Sequence, residues 1–228
     1  MMLTGFSSCV SLHTPPAHFT PTLTKKNQLE GEAGFGLVAS NVNMAYSPLK
    51  HLSVMANVQA LTFKKNNSGH YQKCAEFAVG YYGTKKRLIY GFNAGYGLGT
   101  QHLNFNFFTD TTSYSLQTSG KYQKLTLQSF IALTDNPDAP GWFLGLSLKE
   151  SLYMDNYASL TNYGKERINV RNVDETNTSF EPCIFTKHFF SKRFCLTTQV
   201  GMNISYDESM FWPTQYVFLR IGAGIRLY

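Results

Sequence analysis

The sequence predicts an all-β protein, an antiparallel up-and-down transmembrane β-barrel of about ten strands, with eight strands possible. Three observations lead to this prediction. Apolar residues alternate with small or polar ones at period two along many segments, the last of which runs to the terminal Tyr228. Charged residues make up only 15% of the 228 residues, well below the roughly 25% of soluble domains. No apolar run approaches the ~20 residues of a membrane-spanning helix, so a closed barrel is the remaining way to cross a bilayer.

The closing segment shows the alternation most clearly. From Val217 to Leu227 every second residue is aliphatic, while the positions between them carry Gly, Arg or an aromatic residue. A chain that stops inside a strand needs a neighbour on each side, which a closed sheet supplies. The aliphatic set is therefore expected to face lipid and the other set the barrel interior.

Nine further segments with turn signals between them are expected to form strands. They lie near 31–39, 42–46, 52–63, 71–82, 88–99, 121–134, 142–153, 180–189 and 193–205. Their connections alternate between short turns and long loops, the long ones being roughly 100–120, 154–178 and 206–214. Outer-membrane barrels show this asymmetry, with long loops outside and short turns in the periplasm, and an even strand number puts both termini on the periplasmic side.

A soluble, lipocalin-like barrel is the alternative, with the apolar set facing inward around a ligand. The other face would then be charged and solvated, but here it carries Gly, Ser, Asn, Gln and isolated charges. Aromatic residues also gather near the predicted strand ends, as interfacial girdles do. Both observations favour the membrane barrel.

Six charged residues fall on the face that is expected to line the lumen. They are Glu32, Glu76, Lys124, Lys149, Arg220 and Arg226. Opposite charges in a narrow barrel are expected to pair, because unpaired buried charges are costly. The favoured interpretation is an electrostatic plug that holds the wall together, and the alternative is a selective pore lined by these charges.

Other chemistry has little support in the sequence. Gly95, Gly97 and Gly99 lack the strand-to-helix context of a phosphate loop and are expected to make room for bulky neighbours. The four cysteines form no C-x-x-C pair and none lies near a His at metal-ligand spacing, so no metal site is expected. No cofactor is expected either. Basic residues cluster in turns and not on one stripe, which disfavours nucleic acid as a partner. His102 could act with Asp155 or Asp110 at a rim, but no motif supports such an acid–base pair.

The amino terminus resembles the end of a bacterial lipoprotein signal. Small and apolar residues from Leu3 to Ser8 precede Cys9, which would become the lipidated first residue of the mature chain. The expected organisation is a signal remnant over 1–9, an extended Pro-containing periplasmic tether over 10–30, and the barrel over 31–228. An ordinary N-terminal cysteine is the alternative.

The chain also resembles the small outer-membrane β-barrel proteins of Bacteroidota, most of them uncharacterised. The likeness rests on the Cys9 signal with its tether, on Gly31-Glu32-Ala33, on Ala45-Tyr46-Ser47-Pro48 followed by Leu52 to Asn57, and on Phe180-Glu181-Pro182. It implies a place in the cell outer membrane, with both termini periplasmic.

The expected function is that of a porin-like but non-enzymatic barrel, a structural or interaction subunit of the cell envelope with long extracellular loops. Its expected partners are outer-membrane lipid and a larger envelope protein complex. The alternatives are a narrow small-solute channel and, less favoured, a rim-sited outer-membrane hydrolase.

Overall fold

Ten strands close into one antiparallel barrel in which each strand pairs with the next and the first pairs with the last. The structure is a computed structural model and describes residues 18–36, 39–65, 68–108, 113–136, 141–163, 166–207 and 214–228. The strands are β1 (Leu29–Gly36), β2 (Ala39–Leu49), β3 (Leu52–Lys65), β4 (Ser68–Lys85), β5 (Leu88–Phe108), β6 (Ser113–Thr134), β7 (Trp142–Tyr163), β8 (Glu166–Phe189), β9 (Phe194–Asp207) and β10 (Thr214–Leu227). The predicted fold class is confirmed, with ten strands and not eight. Among these described residues, no helix is long and apolar enough to cross a membrane.

The register of the strands fixes their tilt. A row of cross-strand partners that starts at Leu227 passes once round the barrel through β1 to β9 and returns to β10 at Gln215. The row thus moves from position 227 to position 215, a shift of 12 residues. With ordinary strand spacings, this shift over ten strands corresponds to a tilt of about 40°.

The two ends of the barrel differ. At one end β2–β3, β4–β5, β6–β7 and β8–β9 are joined, β1 begins and β10 ends; we call this end the tight-turn rim. At the other end, the extended rim, β5 to β8 run on as strands of 21, 22, 22 and 24 residues. The prediction of long loops over 100–120 and 154–178 is therefore wrong, because most of these residues belong to strands. Residues 208–213 of the third predicted loop lie outside the described residues.

The outer face carries the apolar set that the alternation assigned to lipid. Phe35 is 71% exposed and Val217 65% exposed, and the same face continues over all ten strands. On the closing strand the aliphatic residues point outward, while Arg220 and Arg226 are buried inside. Glu150, a carboxylate exposed on β7, interrupts this apolar set.

The interior next to the tight-turn rim is apolar and largely aromatic, which the sequence analysis did not anticipate. One cluster there contains Ile89, Phe130, Ala132, Phe143, Phe185, Phe189 and Cys195. A second contains Phe19, Leu23, Ala45, Met55, Ala78 and Tyr82. This end of the lumen is therefore packed like the core of a soluble protein.

Residues 18–28, which we call the N-terminal segment, lie largely inside the barrel. His18, Thr22, Leu23 and Gln28 are each 0% exposed and Phe19 is 2% exposed. At the tight-turn rim the segment joins the wall through a hydrogen bond of 2.7 Å from the Asn27 amide to the Ser47 carbonyl. From the sequence, residues 10–30 are predicted to form an extended tether. In the structure, the described part of that stretch occupies the lumen, and β1 begins at Leu29.

Candidate functional site in the barrel interior

Ten charged side chains are buried inside the barrel among the residues that the structure describes. The acids are Glu30, Glu32, Glu76, Asp155 and Glu181, and the bases are Lys124, Lys149, Lys187, Arg220 and Arg226. All six charges that were predicted to face the lumen are in this set, and none is more than 8% exposed. Five acids face five bases, so the formal charges balance.

One group of ion pairs lies towards the tight-turn rim, around two carboxylates of β1. Arg226 Nη2 lies 3.1 Å from a Glu30 oxygen, and Lys187 makes a direct ion pair with the other oxygen of Glu30. Lys187 Nζ also lies 3.4 Å from Glu32, whose second oxygen is 2.7 Å from Arg220 Nη2. Strands β8 and β10 thus supply the cations that compensate the two carboxylates of β1.

A second group lies farther along the lumen and joins strands that are not neighbours. Glu76 on β4 is paired directly with Lys124 on β6 and lies 3.2 Å from Lys149 Nζ on β7. Because Glu76 reaches across the lumen to both bases, the pairs tie separate parts of the wall together. This is the arrangement expected of an electrostatic plug.

The cations of the first group also contact the aromatic residues of the two apolar clusters at the tight-turn rim, which we call the aromatic floor. The Arg226 guanidinium lies 4.3 Å from the centroid of the Phe189 ring and 5.6 Å from that of Phe143. Lys187 Nζ lies 5.4 Å from the centroid of Phe19 in the N-terminal segment. Cation–π contacts of this kind are strongest when they are shielded from water, so the apolar and ionic layers support one another.

The wall binds the N-terminal segment through polar groups at Thr22 and at His18. Near the rim, the Thr22 hydroxyl donates to Glu30 over 3.0 Å, and Arg226 donates to the Thr22 carbonyl over 3.1 Å. Deeper inside, Gln199 and Arg220 donate to the His18 carbonyl over 2.8 and 3.1 Å. These bonds satisfy backbone groups that would otherwise be buried without partners.

The imidazole of His18 is held by β7 and β8. Its Nδ1 lies 3.2 Å from the Ser147 hydroxyl, and its Nε2 lies 3.2 Å from a carboxylate oxygen of Glu181. The ring also stacks on Phe218 with centroids 5.6 Å apart. His18 therefore links the segment to three elements of the wall.

Towards the extended rim, Tyr122 and Tyr153 pack together inside the barrel with Cys74. The rings of Tyr122 and Tyr153 lie 5.8 Å apart, and Gln72 donates to the Tyr122 hydroxyl over 2.8 Å. A Cβ on Gly99 would overlap the Tyr122 ring. The glycine thus makes room for a bulky neighbour, as the sequence analysis expected.

The other residues singled out by the sequence do not form a second site. His102 is exposed on the outer face beside the ring of Tyr71, whereas Asp155 is 4% exposed inside the barrel. The two therefore face opposite sides of the wall and cannot act as a pair, and Asp110 and Cys9 lie outside the described residues. Cys74, Cys183 and Cys195 are free and buried. Within the described ranges, no group of three or more His, Cys, Asp or Glu residues is placed to hold a metal ion.

Sequence reasoning missed several members of the interior network, although period-two parity could have found most of them. Glu30 precedes Glu32 by two residues and so shares its face. Glu181 and Lys187 share the parity of Cys183 on β8, a strand whose alternation the sequence leaves ambiguous. His18 has no such signal, because its segment is not a strand.

Comparison with known proteins shows the fold. No family model matches the chain, and no curated protein matches it. Among solved structures, the translocator domain of the autotransporter NalP from Neisseria meningitidis aligns with a TM-score of 0.50 and 9% identity, over 87% of this chain and 85% of that one. The KdgM porin aligns with a TM-score of 0.42 and 10% identity, over 88% and 99% of the two chains. A major outer membrane protein from Thermus thermophilus gives 0.38 and 14%, over 88% and 98%. The similarity to the translocator domain shows a shared fold, an outer-membrane-type β-barrel.

Proposed function

We propose that the protein is a non-enzymatic β-barrel of the bacterial outer membrane that serves as a structural or interaction subunit of the cell envelope. The observation that carries this proposal is the filled interior. The N-terminal segment and ten charge-balanced side chains occupy the space that a porin leaves to water. A selective pore needs a continuous polar path, and here that path meets an aromatic floor and ion pairs that cross the lumen.

The same fold supports a place for the protein in the outer membrane. Its apolar outer face suits a bilayer, and barrels of this class have short periplasmic turns and larger extracellular parts. We therefore place the tight-turn rim, where β1 begins and β10 ends, in the periplasm. On this orientation a lipid on Cys9 would anchor the chain on the periplasmic side, and a lipoprotein of the Bacteroidota type fits that arrangement.

The extended strands supply the surface on which an interaction role would rest. β5 to β8 continue well beyond the length of 9–11 residues or so that a strand needs to cross a bilayer. They would project outward and offer a rigid face to a larger envelope complex. The separation of His102 from Asp155 supports a role without catalysis.

Planar-bilayer recording tests the closed interior against the alternative of a narrow small-solute channel. We expect no reproducible conductance steps from the intact protein, and steps from a variant that lacks residues 1–28, because removing the N-terminal segment opens the lumen. A double variant with His18→Ala and Phe19→Ala serves if the truncated chain does not fold. Phe190→Ala is the matched control, since Phe190 is 69% exposed and Phe19 is 2% exposed. Conductance by the intact protein would overturn the proposal in favour of the channel.

A further inference from the structure

A groove of about 480 Å³ runs along the outer wall near the extended rim, where it crosses β3 to β7. Its lining includes Lys73, Ala75, Leu98, Thr100, Lys121 and Met154. Small residues form its floor and longer side chains its sides. The groove is therefore a concave site on a face that the bilayer surrounds.

Two lysines flank this groove at matching positions. Lys73 on β4 and Lys121 on β6 are both the direct cross-strand partners of Thr100 on β5. All three side chains are exposed on the outer face. The lysines are thus two strand spacings apart, or about 10 Å, and their long flexible stems allow both ammonium groups to reach one anion above Thr100.

The lysines lie at the height of a lipid headgroup. Lys73 is eight positions along β4 from Tyr81, an exposed aromatic residue near the tight-turn rim. At a tilt of about 40° this is about 20 Å along the barrel axis, close to the far limit of the ~25 Å apolar band. Beyond it, the rings of Tyr71 and His102 lie 6.3 Å apart on the outer face, as members of an interfacial girdle would.

Below the lysines the groove is lined by Ala75, Leu98 and Gln123. The outer wall beyond it is apolar, with Phe77 57% exposed and Leu125 47% exposed. The nearest acid in the row is Asp174, which is separated from Lys121 by Asn156 and accepts a 2.8 Å hydrogen bond from that asparagine. The positive charge of the two lysines is therefore not neutralised by an ion pair with this acid.

We propose that this groove binds a membrane lipid whose headgroup carries an anionic phosphate. The phosphate sits between Lys73 and Lys121, the Thr100 hydroxyl donates to it, and an acyl chain lies along Leu98 and Leu125. A lipid fits better than a free phosphate because half of the groove is apolar and faces hydrocarbon. The lipid site depends only on the membrane-spanning fold. Its test can therefore fail without affecting the proposal that the interior is closed.

Native mass spectrometry of the protein in zwitterionic detergent tests the site, with phosphatidylglycerol and phosphatidylcholine as the probes. We expect the intact protein to retain phosphatidylglycerol in preference to phosphatidylcholine. The double variant Lys73→Ser/Lys121→Ser should weaken phosphatidylglycerol binding by roughly 30-fold, since each interfacial lysine contributes about 1 kcal/mol. The matched control, Lys86→Ser/Lys192→Ser, removes the same charge from exposed turns at the opposite rim and should bind as the intact protein does.

Two results would overturn the proposal. Equal retention of phosphatidylglycerol by the double variant and the control would show that these lysines hold no lipid. Displacement of the lipid by an equal concentration of inorganic phosphate would show a site for soluble anions. The substituted side chains all lie on the outside of the barrel, so each variant is expected to fold. Folding is checked by the faster migration of the folded barrel on unheated gels.

Discussion

Eight of the ten charged residues of the interior form ion pairs with one another, and this explains how a barrel of low charge content carries so many of them inside. Burying an ion costs several kcal/mol unless a partner and further hydrogen bonds satisfy it. Glu30 meets this condition with Lys187, Arg226 and the Thr22 hydroxyl at once. Such networks fix the arrangement of the groups that they join more than they add to stability.

Glu76 provides a direct test of this compensation. Glu76→Gln leaves the buried ammonium groups of Lys124 and Lys149 without their shared carboxylate, and we expect a loss of about 3–5 kcal/mol in the free energy of unfolding. The measurement is the urea midpoint, followed by the difference in gel migration between folded and unfolded barrel. Lys192→Gln, at an exposed turn, should change the same quantity by less than about 0.5 kcal/mol.

Replacing Glu76 together with one base of the Glu76–Lys124–Lys149 triad separates a charge effect from a packing effect. Glu76→Leu/Lys124→Met removes one acid and one base, so the interior keeps equal numbers of both, and its stability should lie closer to that of the intact protein than that of Glu76→Gln does. If Glu76→Gln unfolds at the same urea concentration as Lys192→Gln, the triad does not stabilise the barrel.

At the scale of strands, the sequence predicts structure well where the two faces of the wall differ. Along β7, Leu144, Leu146 and Leu148 face outward while Ser147 and Lys149 face inward, and this contrast allowed six interior charges to be assigned from parity alone. Beyond the apolar band the contrast disappears, because water can reach the outer face as well. Polar residues then occupy both faces, and the outer parts of β5 to β8 are predicted as loops although their backbones pair to the end.

The N-terminal segment shows a different limit of sequence reasoning. Its residues follow no periodic pattern, because the hydrogen bonds of its backbone go largely to side chains of distant strands. A strand would instead form a regular ladder of backbone hydrogen bonds with its neighbours. Gln199 and Arg220, which bind the His18 carbonyl, are 181 and 202 residues away in the chain. A pattern within residues 18–28 cannot reveal such partners, whereas the composition of the segment suggests a tether.

The turn between β6 and β7 depends on an exposed carboxylate and so predicts a pH dependence. The Gly141 and Trp142 amides donate to Asp135 over 2.9 and 3.3 Å, and the Thr134 hydroxyl donates over 3.1 Å. Slight burial acts to raise the pKa of Asp135, but these donors outweigh it and hold the pKa below its ordinary value. The charged form therefore stabilises the turn above the ordinary pKa, and this contribution is lost as the pH falls through the lowered one.

We expect Asp135→Ala to lower the urea midpoint at about pH 7 and to match the intact protein at about pH 2. The difference at neutral pH should stay below about 1 kcal/mol, because water screens an exposed carboxylate. Asp135→Asn retains an acceptor oxygen without a titrating group. The urea midpoint of this variant should therefore fall less between about pH 7 and about pH 2 than that of the intact protein. A difference between Asp135→Ala and the intact protein that persists unchanged at low pH would contradict this account.

At the scale of the whole molecule, the wall and its contents behave as one packed unit. A ten-stranded barrel is narrow enough for side chains to fill much of its interior, and here an aromatic floor, two ion-pair groups and a tyrosine layer follow one another along the axis. The N-terminal segment contacts the aromatic floor and the ion-pair group nearest to it. Its removal is therefore expected to affect both the stability and the permeability of the barrel.

The proposed orientation of this unit in the membrane predicts which rim is reached from outside the cell. Cysteines introduced as Asp174→Cys, on the extended part of β8, and Lys192→Cys, in the β8–β9 turn, both replace exposed residues. Because short turns face the periplasm in this class of barrel, a membrane-impermeant maleimide applied to intact cells should label position 174 and not position 192. Permeabilising the outer membrane should expose both, while the unsubstituted protein, in which Cys74, Cys183 and Cys195 are buried, gives the background. Labelling of position 192 alone in intact cells would reverse the orientation and place the extended strands in the periplasm, where they would meet a different set of envelope partners.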